Sequence, residues 1–196
     1  MNTKTVDAQN ARVFVAVGSN VDPTSNVLCA LERLDADVGV ARVSTFYRTP
    51  ALDRPDDPPF VNGVVEVEAR LPAYDVKRAL RRIEEALGRT RTGDRYAPRT
   101  IDLDLLLYGD EVSIEPGLPL PHPDVRTRPF VAVPLAELAP DLILPDSGTR
   151  TSVVAASLRP SAMEPLPELT QELRRRFPHG HGEGRVAGTG APAGAR

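Results

Sequence analysis

Cysteine is nearly absent from this sequence, since Cys29 is the one cysteine among 196 residues. A single cysteine cannot form an intrachain disulfide, and proteins without disulfides are typical of a reducing compartment. Cys29 falls among apolar residues at helical spacing, so we interpret it as a core residue rather than a nucleophile. These features predict a cytoplasmic location.

Long apolar runs are missing as well. No segment approaches the roughly 20 residues that a membrane-spanning helix requires, and residues 1–11 lack the apolar core of a signal peptide. The formal net charge of −3 argues against a general nucleic-acid-binding protein. We therefore expect a monomeric globular protein that acts on small molecules and contacts neither nucleic acid nor membrane.

Positive charge is concentrated in one part of the chain. Residues 70–99 hold nine Lys or Arg against four Asp or Glu, although the chain as a whole is acidic. Arginine suits phosphate oxygens because its planar guanidinium donates parallel hydrogen bonds. The segment therefore predicts a local anion-binding surface. The sequence has no G-x-x-x-x-G-K-[ST] loop, which excludes a P-loop kinase.

The apolar run at residues 101–108 predicts a buried strand, and two aspartates interrupt it. Asp102 and Asp104 share one face of that strand, about 7 Å apart along it, because side chains alternate between faces. A solvated polar face would explain the pair without any ligand. The arginines just upstream favour a second interpretation, in which the carboxylates bind metal ions and the guanidiniums bind the phosphates of a polyphosphate.

The predicted elements follow the order strand, helix, strand, strand, helix, strand. This is the βαββαβ order of a ferredoxin-like α+β sandwich, in which helices cover one face of an antiparallel sheet. The strands are predicted at 12–17, 40–49, 60–68 and 101–108, and the helices at 22–38, with Asp22 as N-cap, and at 72–87.

The remaining chain predicts additions to this sandwich. We expect a flexible segment at 1–11, a catalytic domain at 12–159, and a low-complexity, disordered tail at 160–196 that holds at most a loose helix at 166–177. The additions inside the domain are a short strand at 111–114, a proline-rich loop at 118–124, a broken helix at 129–138, a strand at 142–144 and a helix at 152–158.

The stretch R-Y-A-P-R-T-I-D-L-D-L-L at residues 95–106 closely resembles the signature of the 6-hydroxymethyl-7,8-dihydropterin pyrophosphokinase family. The resemblance extends over residues 12–158. Further similar segments, in that family's order, are V-A-V-G-S-N at 15–20, F-Y-R-T-P at 46–50, F-V-N at 60–62, R-I-E-E-A-L-G-R at 82–89 and P-H-P-D-V-R-T-R-P-F at 121–130.

The resemblance implies an enzyme of folate biosynthesis that transfers pyrophosphate from ATP to the hydroxymethyl group of 6-hydroxymethyl-7,8-dihydropterin and releases AMP. It implies that two Mg²⁺ ions on Asp102 and Asp104 clamp the triphosphate. The catalytic residues it implies are Asp102, Asp104, Arg89 and Arg99. The ATP-binding residues are Glu84, Arg89, Arg91, Arg99, Leu105, His122 and Arg128. The pterin-binding residues are Thr49, Pro50, Leu52, Phe60, Asn62, Tyr96 and Phe130.

Several positions depart from the family pattern. Tyr96 stands where a bacterial relative has tryptophan, and Arg81 stands where relatives have glutamine. Gly117 and Pro119 lie in a loop that lacks the Arg and Thr of relatives, and Pro123 replaces an aromatic residue. The loops at 50–59 and 88–97 flank the implied site, and we expect both to become ordered over bound ligands.

Three alternatives remain open on sequence alone. A two-aspartate nucleotidyl transferase of the same fold would use the same metals, but it leaves the Thr-Pro and Phe-Val-Asn segments unexplained. An RNA-binding module is disfavoured by the acidic net charge and by the lack of an aromatic-rich strand. A paralogue that binds pterin and ATP without turnover is the third. A neighbouring folate-pathway enzyme is a candidate partner of the tail.

Overall fold

The computed structural model describes residues 11–51, 56–68, 70–89, 98–158 and 162–178. The strands in these ranges are β1 (Val13–Ser19), β2 (Val40–Val43), β3 (Tyr47–Thr49), β4 (Phe60–Val67), β5 (Asp102–Tyr108), β6 (Ser113–Glu115), β7 (Leu118–Leu120) and β8 (Glu164–Pro165). The helices are α1 (Pro23–Asp37), α2 (Ala73–Ala86), α3 (Asp124–Thr127), α4 (Pro129–Leu138), α5 (Thr151–Ser157) and α6 (Pro167–Arg176).

The main sheet is antiparallel and has the strand order β5-β1-β4-β3-β8, with β2 also paired to β4. Together with α1 and α2, this order confirms the predicted ferredoxin-like α+β sandwich. The prediction of one continuous strand at 40–49 is wrong, because this segment is divided into β2 and β3. Between them the Ser44 hydroxyl accepts a hydrogen bond from the Val64 N–H at 2.9 Å, and Phe46 inserts into the core.

Alternation along the strands divides the core between the two faces of the sheet. Val13, Val15 and Val17 of β1 pack with α1 and α2 on one face. Phe14 belongs to a second buried cluster, which includes apolar residues of α4 and α5 on the other face. That second layer covers only part of its face. The uncovered part, at the end of β1 that holds Ala16 and Gly18, forms the wall of a cavity.

The expected disordered tail is wrong for the part of residues 160–196 that the structure describes. β8 adds to the edge strand β3, and α6 packs its buried residues Leu169 and Leu173, with Phe177, into the core beside α1 and α2. The loose helix predicted at 166–177 was the one indication in the sequence that part of this tail is ordered. Its apolar residues recur at helical spacing, which gives α6 a face that only packing can bury.

Other local expectations also changed. Cys29 is exposed on α1, so its interpretation as a core residue is wrong. Asp22 holds the N-cap position of α1, but its side chain makes no capping hydrogen bond and its φ is 40°. The proline-rich loop at 118–124 contains β7, which pairs with β6. The strand at 142–144 is reduced to an isolated bridge between Ile143 and Arg150. The helix at 129–138 is continuous through Pro134. Within the described ranges, every helix is too short or too polar to cross a membrane.

Candidate active site

The two aspartates of β5 face the uncovered part of the sheet. Their neighbours across the strand pair are small, since Gly18 lies opposite Asp102 and Ala16 lies opposite Asp104. The alternate β5 residues Leu103 and Leu105 point into the core instead, where each is 1% exposed. The small side chains of β1 leave open space beside the two carboxylates, which is what a ligand-binding cavity requires.

This space is a cavity of about 180 Å³ whose wall combines carboxylate, guanidinium, amide, imidazole and aromatic groups. Its lining residues include ten of the predicted site residues. These ten are Thr49, Pro50, Phe60, Asn62, Arg99, Asp102, Asp104, His122, Arg128 and Phe130.

Asp102 lies between two guanidiniums. Arg89 donates to one of its carboxylate oxygens and Arg99 to the other. Arg89 also pairs with Glu84, which is 3% exposed and accepts a hydrogen bond from the Leu103 N–H at 2.8 Å. Glu84 therefore satisfies an outward N–H of the edge strand and fixes Arg89 beside Asp102. Burial raises the pKa of Glu84 above its ordinary value, although the Leu103 N–H and Arg89 act in the opposite direction.

The G-S-N segment at the end of β1 holds Arg99 in place. The Asn20 side-chain oxygen accepts from the Arg99 N–H at 2.8 Å, and the Asn20 N–H donates to the Arg99 carbonyl at 3.2 Å. The Ser19 hydroxyl donates to the Thr100 carbonyl at 2.6 Å. These contacts give the segment a positioning role, because they fix the chain that carries Arg99 next to Asp102.

Asp104 is paired with Lys77 of α2, whose ammonium lies 3.0 Å from Oδ1. α2 packs against the opposite face of the sheet, so Lys77 reaches Asp104 around the open edge of β5. Burial raises the pKa of Asp104, but Lys77, His122 and Arg89 together outweigh it and lower that pKa below its ordinary value. Asp104 is therefore ionised and balanced by an ammonium group.

His122, Asp124 and Arg128 close the cavity on the side of α3. The Asp124 N–H donates to His122 Nδ1 at 3.3 Å, which leaves the proton of a neutral imidazole on Nε2. The Arg128 guanidinium lies 3.8 Å from Asp124 Oδ1. The imidazole and the guanidinium thus add two hydrogen-bond donors to the wall that contains the aspartates.

Another part of the cavity wall is suited to a flat heteroaromatic group. Asn62 is 8% exposed and donates to the Thr49 hydroxyl at 2.8 Å, which fixes the plane of its amide. Phe60 and Phe130 supply aromatic surface, and Pro50 completes this part of the wall. A fixed amide between aromatic faces can both stack with a planar ring and pair with its polar edge.

The remaining predicted site residues fall into three groups. Arg89 and Glu84 lie behind Asp102 and join the site through the contacts described above. Leu105 lies in the core on the other face of the sheet, and the structure does not bring it to the cavity. The residues that lie outside the described ranges are Leu52, Arg91 and Tyr96. Two loops, at 50–59 and 88–97, were expected to become ordered over bound ligands. Their parts at 52–55 and 90–97 also lie outside the described ranges.

Sequence reasoning missed Lys77 and Asp124. Lys77 lies off the apolar stripe of α2, where lysine is ordinarily a solvated surface residue. A usable signal was its spacing of seven residues from Glu84, which places both side chains on the same side of the helix. Nothing in the sequence alone showed that this side of α2 would lie along the edge of β5.

Asp102 and Asp104 are suited to magnesium in the chemistry of their donors. Mg²⁺ prefers oxygen ligands and is commonly held by one or two carboxylates, with water and substrate phosphates completing its shell. Among the described residues, no group of three or more His, Cys, Asp or Glu side chains is arranged to hold a metal alone. Asp102 and Asp104 are the two β5 carboxylates of the cavity lining that could hold a divalent ion.

Comparison with known proteins agrees with this geometry. The profile of a family described as 7,8-dihydro-6-hydroxymethylpterin-pyrophosphokinase (HPPK) matches residues 14–140. The chain is 40% identical over 148 residues to the 2-amino-4-hydroxy-6-hydroxymethyldihydropteridine pyrophosphokinase of Pseudomonas aeruginosa, which covers 74% of this chain and 91% of that protein. It is 41% identical over 157 residues to the protein of the same name from Methylorubrum extorquens, covering 78% and 97%.

Solved structures show the same fold at much lower sequence identity. A crystal structure of a Plasmodium falciparum HPPK-DHPS triple mutant with SDX-DHP superposes with a TM-score of 0.60 at 12% identity. That alignment covers 78% of this chain and 45% of the longer Plasmodium chain. Because the profile spans most of the sandwich and the bacterial relatives match over nearly their whole length, this chain belongs to the HPPK family.

Proposed function

We propose that this protein transfers the pyrophosphoryl group of ATP to the hydroxymethyl oxygen of 6-hydroxymethyl-7,8-dihydropterin, as a step of folate biosynthesis. The observation that carries the proposal is the composition of one cavity. Paired carboxylates with their guanidiniums form one wall, and a fixed amide with two phenylalanines forms the other. A triphosphate suits the first wall and a pterin ring suits the second.

In this reaction one P–O bond forms while another breaks. The hydroxymethyl oxygen attacks the β-phosphorus, the bond from that phosphorus to the oxygen shared with the α-phosphate breaks, and AMP leaves while the hydroxyl proton passes to solvent. Negative charge grows on the bridging and phosphoryl oxygens during this displacement. Arg99, Arg128 and the Nε2–H of His122 line the cavity and would donate to those oxygens.

Asp102 and Asp104 would hold two Mg²⁺ ions together with the triphosphate. When bound, magnesium neutralises phosphate charge and polarises the attacking hydroxyl, so no strong side-chain base is needed. The carboxylates supply the protein ligands, and Glu84 keeps Arg89 next to them. Leu52, Tyr96 and Arg91 retain the pterin-binding and ATP-binding roles that the family resemblance implies.

The pterin would lie between Phe60 and Phe130, with its amide-like edge against Asn62. A primary amide has two N–H donors and one carbonyl acceptor, and Thr49 uses one of the donors. The remaining donor and acceptor capacity can pair with the ring edge of the pterin. Stacking on two phenylalanines supplies affinity, while the amide supplies selectivity for the pterin ring.

The test is AMP formation from ATP and Mg²⁺ with and without 6-hydroxymethyl-7,8-dihydropterin. We expect pterin-dependent AMP in the wild type. In Asp102→Asn and in Asp104→Asn, kcat should fall by at least about 100-fold, which is the order of the loss seen when a group that stabilises transition-state charge is removed. Asp110→Asn is the matched control, since Asp110 is exposed after the end of β5. Pterin-independent AMP would contradict the proposal, and pterin binding without AMP would identify a catalytically inactive paralogue.

We place this enzyme in the cytoplasm, as a monomer that acts on small molecules. The single cysteine and the use of ATP support that location. An enzyme that consumes the pterin diphosphate is the candidate partner. The HPPK-DHPS name of the Plasmodium chain supports this idea, since it joins two activities in one polypeptide.

A further inference from the structure

Lys77 gives the metal site a resident cation that the sequence did not predict. Its ammonium lies 3.0 Å from Asp104 Oδ1, and its side chain is 15% exposed. The next residue of α2, Arg78, is 64% exposed in its side chain and pairs with Asp75 on the same helix. Lys77 is therefore directed toward the carboxylate, whereas its neighbour is an ordinary surface cation.

Both aspartates are thus balanced by protein cations. Arg89 and Arg99 contact the two oxygens of Asp102, and Lys77 contacts Asp104. A divalent ion that binds alone has to compete with these cations for the same oxygens. A bound nucleotide reduces this competition. Its phosphate oxygens lie next to the carboxylates, so the cations that a metal ion displaces can pair with the phosphates instead.

We propose that Lys77 is a positioning residue that couples metal binding to nucleotide binding. In the free enzyme it occupies Asp104 and weakens the binding of a divalent ion. When metal and nucleotide bind together, it releases Asp104 and donates to a phosphate oxygen. This inference rests on the proposed function, since it takes the ATP phosphates as the new partner.

The chemistry of lysine suits this exchange. An ammonium is a compact charge on a flexible four-carbon stem, so it can move between neighbouring oxygens without breaking a bidentate pair. Lys77 also reaches the site around the edge of β5, where β5 has no further strand to restrict the movement of the side chain among the described residues. Thermodynamic linkage makes the effect reciprocal, so a nucleotide that attracts Lys77 must raise metal affinity as much as metal raises nucleotide affinity.

The first measurement is the Kd of Mn²⁺ without nucleotide, from the electron paramagnetic resonance signal of free Mn²⁺. We expect Lys77→Met to bind Mn²⁺ about tenfold more tightly than the wild type, within the range of typical coupling between sites. Lys77→Arg keeps the charge and should bind Mn²⁺ as weakly as the wild type. Arg78→Met, which removes a cation from the same helix outside the site, should also leave the Kd unchanged.

The second measurement is the Kd of α,β-methylene-ATP in saturating Mg²⁺, by calorimetry. Here Lys77→Met should bind about tenfold more weakly, so the substitution shifts the two affinities in opposite directions. An unchanged Mn²⁺ affinity in folded Lys77→Met and Lys77→Gln would overturn the inference and leave Lys77 a structural ion pair. Neither measurement needs turnover, so a wild type that forms no AMP would refute the proposed function separately.

Discussion

Gly18 shows how one missing side chain can shape the substrate site. A Cβ at this position would lie 2.7 Å from Asn62 Oδ1, closer than any tolerated contact. Its distance to the Asp102 Cβ would be an ordinary 3.9 Å. Glycine is therefore required at position 18 by the nearby amide of Asn62, and not by the carboxylate of Asp102.

Gly18→Ala should impair pterin binding selectively. The new methyl group pushes the Asn62 amide out of the plane that Thr49 fixes, so we expect KM for the pterin to rise about tenfold, which corresponds to about 1.4 kcal/mol. KM for ATP should change little. Gly117→Ala is the control, because a Cβ at Gly117 meets nothing within 4 Å. Steady-state kinetics with each substrate varied in turn checks this, and equal pterin KM values in the two variants would contradict it.

Among the elements, the edge position of β5 decides how the site is assembled. Only β1 pairs with β5 among the described strands, so the other side of β5 is open to α2. Glu84 uses that opening to accept the Leu103 N–H, and Lys77 uses it to reach Asp104. A further strand on this side would have separated both side chains from the carboxylates.

The helix α6 is a second element whose contribution depends on packing. Its Leu173 is fully buried, Thr170 accepts a hydrogen bond from the Phe46 N–H at 3.0 Å, and Arg174 pairs with Glu137 of α4. These contacts lie next to β3, which ends at Thr49 and is followed by Pro50, two residues of the proposed pterin-binding part of the cavity. α6 therefore stabilises the strand that supports the substrate site.

Leu173→Ala should destabilise the whole fold. The substitution leaves a cavity in the core, so we expect the free energy of unfolding to fall by about 2–5 kcal/mol. Gln171→Ala, on the exposed side of the same helix, should change it by no more than about 0.5 kcal/mol. Urea unfolding followed by circular dichroism measures both. A Leu173→Ala protein as stable as the control would show that α6 does not contribute to the fold.

On the scale of the molecule, buried charge links the site to the pH dependence of stability. The folded state raises the pKa of Glu84 above its ordinary 4.5, mainly through burial, and lowers that of Asp104 below 3.8. The two act in opposite directions. Asp104 contributes stability that is lost as the pH falls through its lowered pKa, whereas Glu84 contributes stability that is lost as the pH rises above 4.5.

Glu84→Gln should therefore alter the pH profile of unfolding in a defined direction. From pH 4.5 to 7, the stability of the wild type relative to Glu84→Gln should decrease, because only the wild type releases a proton that the folded state holds more tightly than the unfolded state. Chemical denaturation at several pH values measures this difference. Glu85→Gln neutralises an exposed carboxylate on the same helix and serves as the control. A difference that increases with pH would contradict the assignment.

The sequence by itself determined what depends on local periodicity. The alternation in residues 101–108 placed Asp102 and Asp104 on one face, and the order of the predicted strands and helices indicated the sandwich. The segments shared with the family indicated the two substrates without any knowledge of tertiary contacts. Such signals are contained within a few residues of each other, so they can be read without knowing which strands pair.

Only the tertiary structure decided which distant side chains meet. Pairing of β1 with both β4 and β5 brings Asn62 and Asp102 to opposite sides of Gly18, and the open edge of β5 admits Lys77. The packing of α6 on the core also overruled the low-complexity composition that surrounds it. These contacts depend on register, on edge exposure and on burial across more than 20 residues of sequence, and no local pattern encodes them.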